Sequence, residues 1–129
     1  MTTSPQESID SFDNRNPDRN YLIHFECSEL TCLCPRTGQP DFCTVKINYV
    51  PDLLCVELKS LKLYLWSFRN RGIFHEDLVN EIADHLRDAL APRYLHVCGD
   101  FNIRGGIHTA VELSFGTPPT LGSLNPLNS

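Results

Sequence analysis

The sequence holds no run approaching the ~20 apolar residues of a membrane-spanning helix, and its opening stretch, MTTSPQESID, lacks the apolar centre of a secretory leader. These absences set the expectation of a cytoplasmic protein. Basic residues are outnumbered: 11 Lys and Arg stand against 16 Asp and Glu, a formal net charge of −5. That balance argues against a protein held on the nucleic-acid backbone, although a single base could still be bound. There is no G-x-G-x-x-G, so a nucleotide cofactor would not sit in a Rossmann crevice. There is no paired C-x-x-C or H-x-x-x-H of the kind that closes a structural zinc site. Internal repeats and low-complexity runs are absent too. What remains is a chain of 129 residues, 41% apolar and 21% charged, the size and make-up of one globular domain.

The ends are poor in packing material. Residues 1–19 are polar and rich in turn formers, and residues 117–129 repeat proline, glycine and asparagine, so both read as loose extensions of a core spanning residues 20–116. Within the core, YLIHFEC from Tyr21 and DFCTVKINYV from Asp41 alternate as strands. The second puts Cys43, Val45, Ile47 and Tyr49 on one face. Leu61, Tyr64, Leu65 and Phe68 recur at helical spacing. Phe74, Leu78, Ile82, Leu86 and Leu90 do so more regularly, with acids in the first turn and Pro92 beyond the end. RYLHVCGDFNI and IHTAVELSF then read as two strands joined at Arg104-Gly105-Gly106. The order ββααββ predicts an α+β layer: an antiparallel four-stranded sheet with two helices on one face. Its unpaired edges invite assembly with further copies.

Three cysteines fall in LTCLCPRTGQPDFC, Leu30 to Cys43. A disulfide between Cys32 and Cys34 would be strained, and a reducing compartment disfavours one. Cys43 suits a buried strand position, as do Cys27, Cys55 and Cys98. Cys34 does not, because it precedes Pro35 in a turn with Gly38 and Pro40. A nucleophilic thiolate needs a positive or proton-handling neighbour, and Arg36, Asp41 and His75 are candidates. On residue type alone, Glu76 is a dipole partner of its helix, His75 a residue near a cap, and Lys59 and Lys62 a solvated face.

LCPRTGQPDF, ELKSLKLYLWSFRN, HED and RGG occur in that order. Together they resemble the NADPH-dependent 7-cyano-7-deazaguanine reductases of queuosine biosynthesis, a tRNA-modification pathway, in their short single-module form. The resemblance spans roughly residues 10–116 and implies the tunnelling fold, a ββααββ unit that assembles into rings. It implies four-electron reduction of a nitrile to an aminomethyl group by NADPH, through a thioimide on Cys34 with Asp41 as proton donor. It places substrate at Val56, Glu57, Leu58, His75 and Glu76, and cofactor at Leu58, Lys59, Arg104 and Gly105; Lys62 is a further basic candidate. No metal is implied. The short form further implies two stacked pentamers with sites between subunits, so Cys34 and Glu76 need not meet within one chain. Three rivals stand beside this reading: an amidinotransferase of the same fold, a zinc cyclohydrolase of the same fold, and a non-catalytic purine-binding module. The lysine-bearing ELKSLKLY favours the reductase. Cys32 is an extra thiol without an assigned role.

Overall fold

The structure, a computed structural model, describes residues 4–120; most of the expected loose tail, from Leu121, lies outside them. In chain order the elements are β1 (Ser11–Asp13), β2 (Ile23–Leu33), β3 (Pro40–Val50), β4 (Leu54–Val56), α1 (Leu58–Trp66), α2 (His75–Leu90), β5 (Tyr94–Arg104) and β6 (Ile107–Gly116). Four strands form one antiparallel sheet in the order β2-β3-β5-β6, while β1 and β4 pair separately. The expected α+β architecture is present, with β1 and β4 added to it.

Alternation in β3 carries the core. Cys43, Val45, Ile47 and Tyr49 are buried on one face, and Leu95, Val97 and Phe101 of β5 extend that face. Helix α2 covers it with Leu78, Val79, Ile82, Ala83, Leu86 and Leu90, all buried. Each large apolar side chain so buried contributes about 1.5–3 kcal/mol before entropy is counted. The helix approaches the sheet closely at Gly99, where an added Cβ would lie 2.6 Å from Val79 Cγ2. It ends at Ala91, which takes a left-handed φ of 44° and donates its N–H to Arg87 O at 2.8 Å.

The N-terminal segment differs from its expected looseness. Gln6 N–H donates to Leu63 O, Asp10 O accepts from Glu57 N–H, and Asp10 N–H donates to Ser60 Oγ. Asn14 is buried, donating to Asp52 O and accepting from Tyr21 Oη. The Arg93 guanidinium ties Pro17 O, Arg19 O and Asn20 Oδ1 to Asp52. Ile9 packs against the core, but most of the ties that dock this segment are polar, so hydropathy does not reveal it.

Candidate active site

Strand β2 runs through Cys32 and ends at Leu33. Its end is tied to the segment preceding α2: Leu33 N–H donates to Arg71 O at 2.8 Å, and Ile73 N–H donates to Leu33 O at 3.0 Å. The chain then turns at Cys34. Cys34 N–H donates to Gln39 O and Gly38 N–H to Cys34 O, both at 2.8 Å. Gly38 closes the turn with a φ of 71°, a conformation costly for a residue bearing Cβ.

The three clustered thiols differ sharply. Burial pushes Cys32 up to about 11 and Cys43 up to about 12. Cys34 moves the other way: the Thr37 hydroxyl and the backbone N–H groups of Arg36 and Thr37 donate to its sulfur and lower its pKa. Of the three, Cys34 alone is suited to attack.

Asp41 lies in phase with Cys43, Val45 and Ile47, so β3 carries its carboxyl inward, 7% exposed. Its two oxygens meet different donors. Arg104 Nη1 reaches Oδ1 at 2.9 Å, and His75 Nε2 stands 3.2 Å from Oδ2. Arg104 also donates to Pro40 O and Gln39 Oε1, which fastens the β5–β6 hairpin to the loop before β3. Gly105 and Gly106, with φ of 60° and 78°, form the hairpin tip. His75 is the first residue of α2, and its ring stacks on Phe101.

These side chains surround a cavity of about 270 Å³, lined among others by Cys34, Thr37, Asp41, Phe74, Glu76 and Arg104. That volume lies just below the usual range for small-molecule sites. Cys34 and Glu76 thus share a cavity within one chain. Arg104, expected at a cofactor phosphate, here partners Asp41. Thr37 and Phe101 were not among the sequence candidates. Thr37 stood inside LCPRTGQPDF, three residues past the thiol; nothing local marks Phe101 as the support of His75.

The residues before and in α1 sit apart. Val56 is buried, with its N–H donating to Tyr49 Oη at 2.9 Å. Glu57 caps α1, its carboxylate accepting from Lys59 N at 2.7 Å and Ser60 N at 2.9 Å. Leu58 is exposed, and with Lys62 it lines a second cavity, of about 330 Å³, against Phe25 and Glu26 of β2. Lys59 and Lys62 are exposed and, among the described residues, join no ion pair. The two cavities have no lining residue in common.

Known proteins resemble this chain in sequence and in fold. A family model described as QueF-like protein matches residues 40–120. A relative from Anaeromyxobacter sp. (strain Fw109-5), named NADPH-dependent 7-cyano-7-deazaguanine reductase, is 56% identical over 119 residues, covering 92% of this chain and 98% of its own. A relative of the same name from Thermomicrobium roseum is 55% identical over 115 residues, covering 89% and 90%. Among solved structures, an archaeosine synthase QueF-Like in the apo form superposes with a TM-score of 0.70 at 23% identity, over 76% of this chain and 96% of that one, a likeness of fold. With over half its length matched by the family model, and with relatives of that name matching nearly all of it, the chain belongs to the QueF-like family of NADPH-dependent 7-cyano-7-deazaguanine reductases.

Proposed function

We propose that this chain reduces the nitrile of 7-cyano-7-deazaguanine to the aminomethyl compound with NADPH, in queuosine biosynthesis in the cytoplasm. The observation that carries the reading is the Cys34 thiol, lowered in pKa and set in one cavity with a buried, doubly hydrogen-bonded Asp41.

The Cys34 thiolate adds to the nitrile carbon. The electron pair of the broken C–N π bond goes to nitrogen, which takes a proton from the Asp41–His75 pair and leaves a neutral thioimide. Burial between His75 and Arg104 holds the Asp41 carboxyl at the cavity wall. NADPH, when bound, supplies the two hydrides of the four-electron reduction. Cys34 departs with the C–S electron pair between them, and the Asp41–His75 pair again handles protons. Glu76 at the cavity mouth has acceptor oxygens for the ring N–H and exocyclic amine of a deazaguanine. Phe74 and Ile73 give the cavity apolar walls that keep water from the bound imine.

The residues of α1 fit a dinucleotide phosphate: Lys59 and Lys62 are exposed and unpaired among the described residues. Their separation from the Cys34 cavity supports a site completed by a neighbouring chain. Among the described residues, the outer edges of β2, apart from Leu33 at its end, and of β6 have no partner strand, and pairing them in succession generates a ring. We place α1 of one subunit, with Glu57, Leu58 and Lys59, beside the Cys34 cavity of the next, in two stacked pentamers. Mixed assembly of Cys34→Ala and Lys59→Ala subunits then restores activity. Cys34→Ala mixed with Glu76→Ala does not, because both lesions fall in one cavity. The reverse result overturns the arrangement.

The activity is tested by NADPH absorbance with and without the nitrile. Oxidation that needs the substrate and is lost in Cys34→Ala supports it. Base binding without oxidation returns the purine-binding module.

A further inference from the structure

Strand β5 carries a bulge just before its hairpin. Phe101 pairs with Thr109 and Arg104 with Ile107, so Asn102 and Ile103 together stand against the single residue His108. A bulge of this kind re-aims the side chains that follow it. Phe101 is buried on the core face, and strict alternation from there would turn Arg104 to the other side of the sheet. The extra residue restores Arg104 to the face on which Asp41 lies. There its guanidinium holds three consecutive residues. Nη2 donates to Gln39 Oε1 at 2.9 Å, and Nη1 donates to Pro40 O at 2.6 Å and to Asp41 Oδ1 at 2.9 Å. The carbonyl of Gln39 in turn accepts the N–H of Cys34 at 2.8 Å. One side chain thus holds both the turn of the nucleophile and the proton-handling carboxyl.

We infer that Arg104 is a positioning residue for the addition of Cys34 to the nitrile: it fixes the sulfur and the Asp41 carboxyl relative to one another before any cofactor is bound. The inference rests on the nitrile-reductase reading for the step it serves. A cofactor phosphate needs positive charge beside it, and lysine supplies that as well as arginine does. The grip on Gln39, Pro40 and Asp41 needs the planar fork, whose donors point to separate acceptors in fixed directions. Arg104→Lys therefore separates the two roles. Gln39→Leu loosens the same grip from its other end and leaves the charge of Arg104 in place.

The test is the time course of covalent adduct formation between the assembly and 7-cyano-7-deazaguanine, without NADPH, read by intact mass over a range of nitrile concentrations. Beside it, deuterium uptake by the segment from Cys34 to Gln39 is followed by mass spectrometry with no ligand present. Arg104→Lys and Arg104→Met lower the maximal rate of adduct formation on the order of tenfold or more, and leave the half-saturating nitrile concentration within about twofold of its original value. Gln39→Leu lowers the rate less. All three speed deuterium uptake in the turn. If Arg104→Met fails to fold, the lysine and Gln39 variants decide the matter. An adduct rate in Arg104→Lys equal to that of the unaltered protein overturns the inference and returns Arg104 to a role of charge alone. So does a slowed rate with unchanged deuterium uptake, since no grip has then been lost. Absence of any adduct in the unaltered protein removes the nitrile reading. Faster uptake in the variants then leaves the grip of Arg104 standing, and unchanged uptake removes that as well.

Discussion

The imidazole of His75 lies flat on the ring of Phe101, with 3.7 Å between centroids and 6° between planes. Phe101 is fully buried on β5, so the sheet itself fixes the plane in which Nε2 meets Asp41. Phe101→Leu keeps an apolar filler but frees the imidazole to turn. Aromatic stacking is worth about 0.5–1.5 kcal/mol beyond area, so turnover falls roughly tenfold if that energy orients the proton. Single-turnover rates against base affinity separate the two: weakened affinity with an unchanged rate would assign Phe101 to packing alone.

Cys34 and Cys32 predict opposite pH behaviour. Because the pKa of Cys34 is lowered, its thiolate is already present at a pH where an ordinary thiol, near about 8.5, is still protonated. Adduct formation with the nitrile, read by intact mass without NADPH, rises with pH and levels off below that range. Cys32, pushed to about 11, stays protonated throughout. Cys32→Ala therefore keeps the adduct and Cys34→Ala abolishes it; a surviving adduct in Cys34→Ala would move the nucleophile elsewhere.

Asp41→Asn retains hydrogen-bonding atoms for Arg104 and His75 but loses the transferable proton. Turnover drops by roughly 100-fold or more, the usual contribution of a general acid, while deazaguanine binding persists. Equal turnover in the variant would exclude Asp41 from the proton path.

Gly99→Ala tests the fit of α2 on the sheet. The new Cβ meets Val79 Cγ2 at 2.6 Å and Phe101 Cε1 at 3.2 Å, neither of which is the end of a long flexible chain. Overpacking of this kind costs about 1–3 kcal/mol, read as a lower urea midpoint. An unchanged midpoint would mean that α2 shifts without penalty.

Much of this architecture was legible in the residues. The alternation of Cys43, Val45, Ile47 and Tyr49, and the four-residue steps from Leu78 to Leu90, name β3 and α2 and the faces they bury. The strands β1 and β4 were not legible, because three residues are too few to show a period and Ser11 finds Val56 far along the chain. The site divides in the same way. Cys34, Asp41, His75 and Glu76 stood out through motif and resemblance. The contact of Arg104 with Asp41 bridges 63 positions of sequence, and no local spacing foretells it.

The pairing of Leu33 with the strand-like segment at Gly72 has one further effect. The turn bearing Cys34 begins immediately after Leu33, and α2 begins two residues after Ile73, so a single pair of backbone hydrogen bonds acts as a caliper between sulfur and imidazole. The gap into which a ligand must fit is set while the chain folds. Binding then spends little conformational entropy on closing it, and the amide hydrogens of Leu33 and Ile73 should exchange equally slowly with and without ligand; marked slowing on binding would reveal a jaw that shuts instead of a gauge already set.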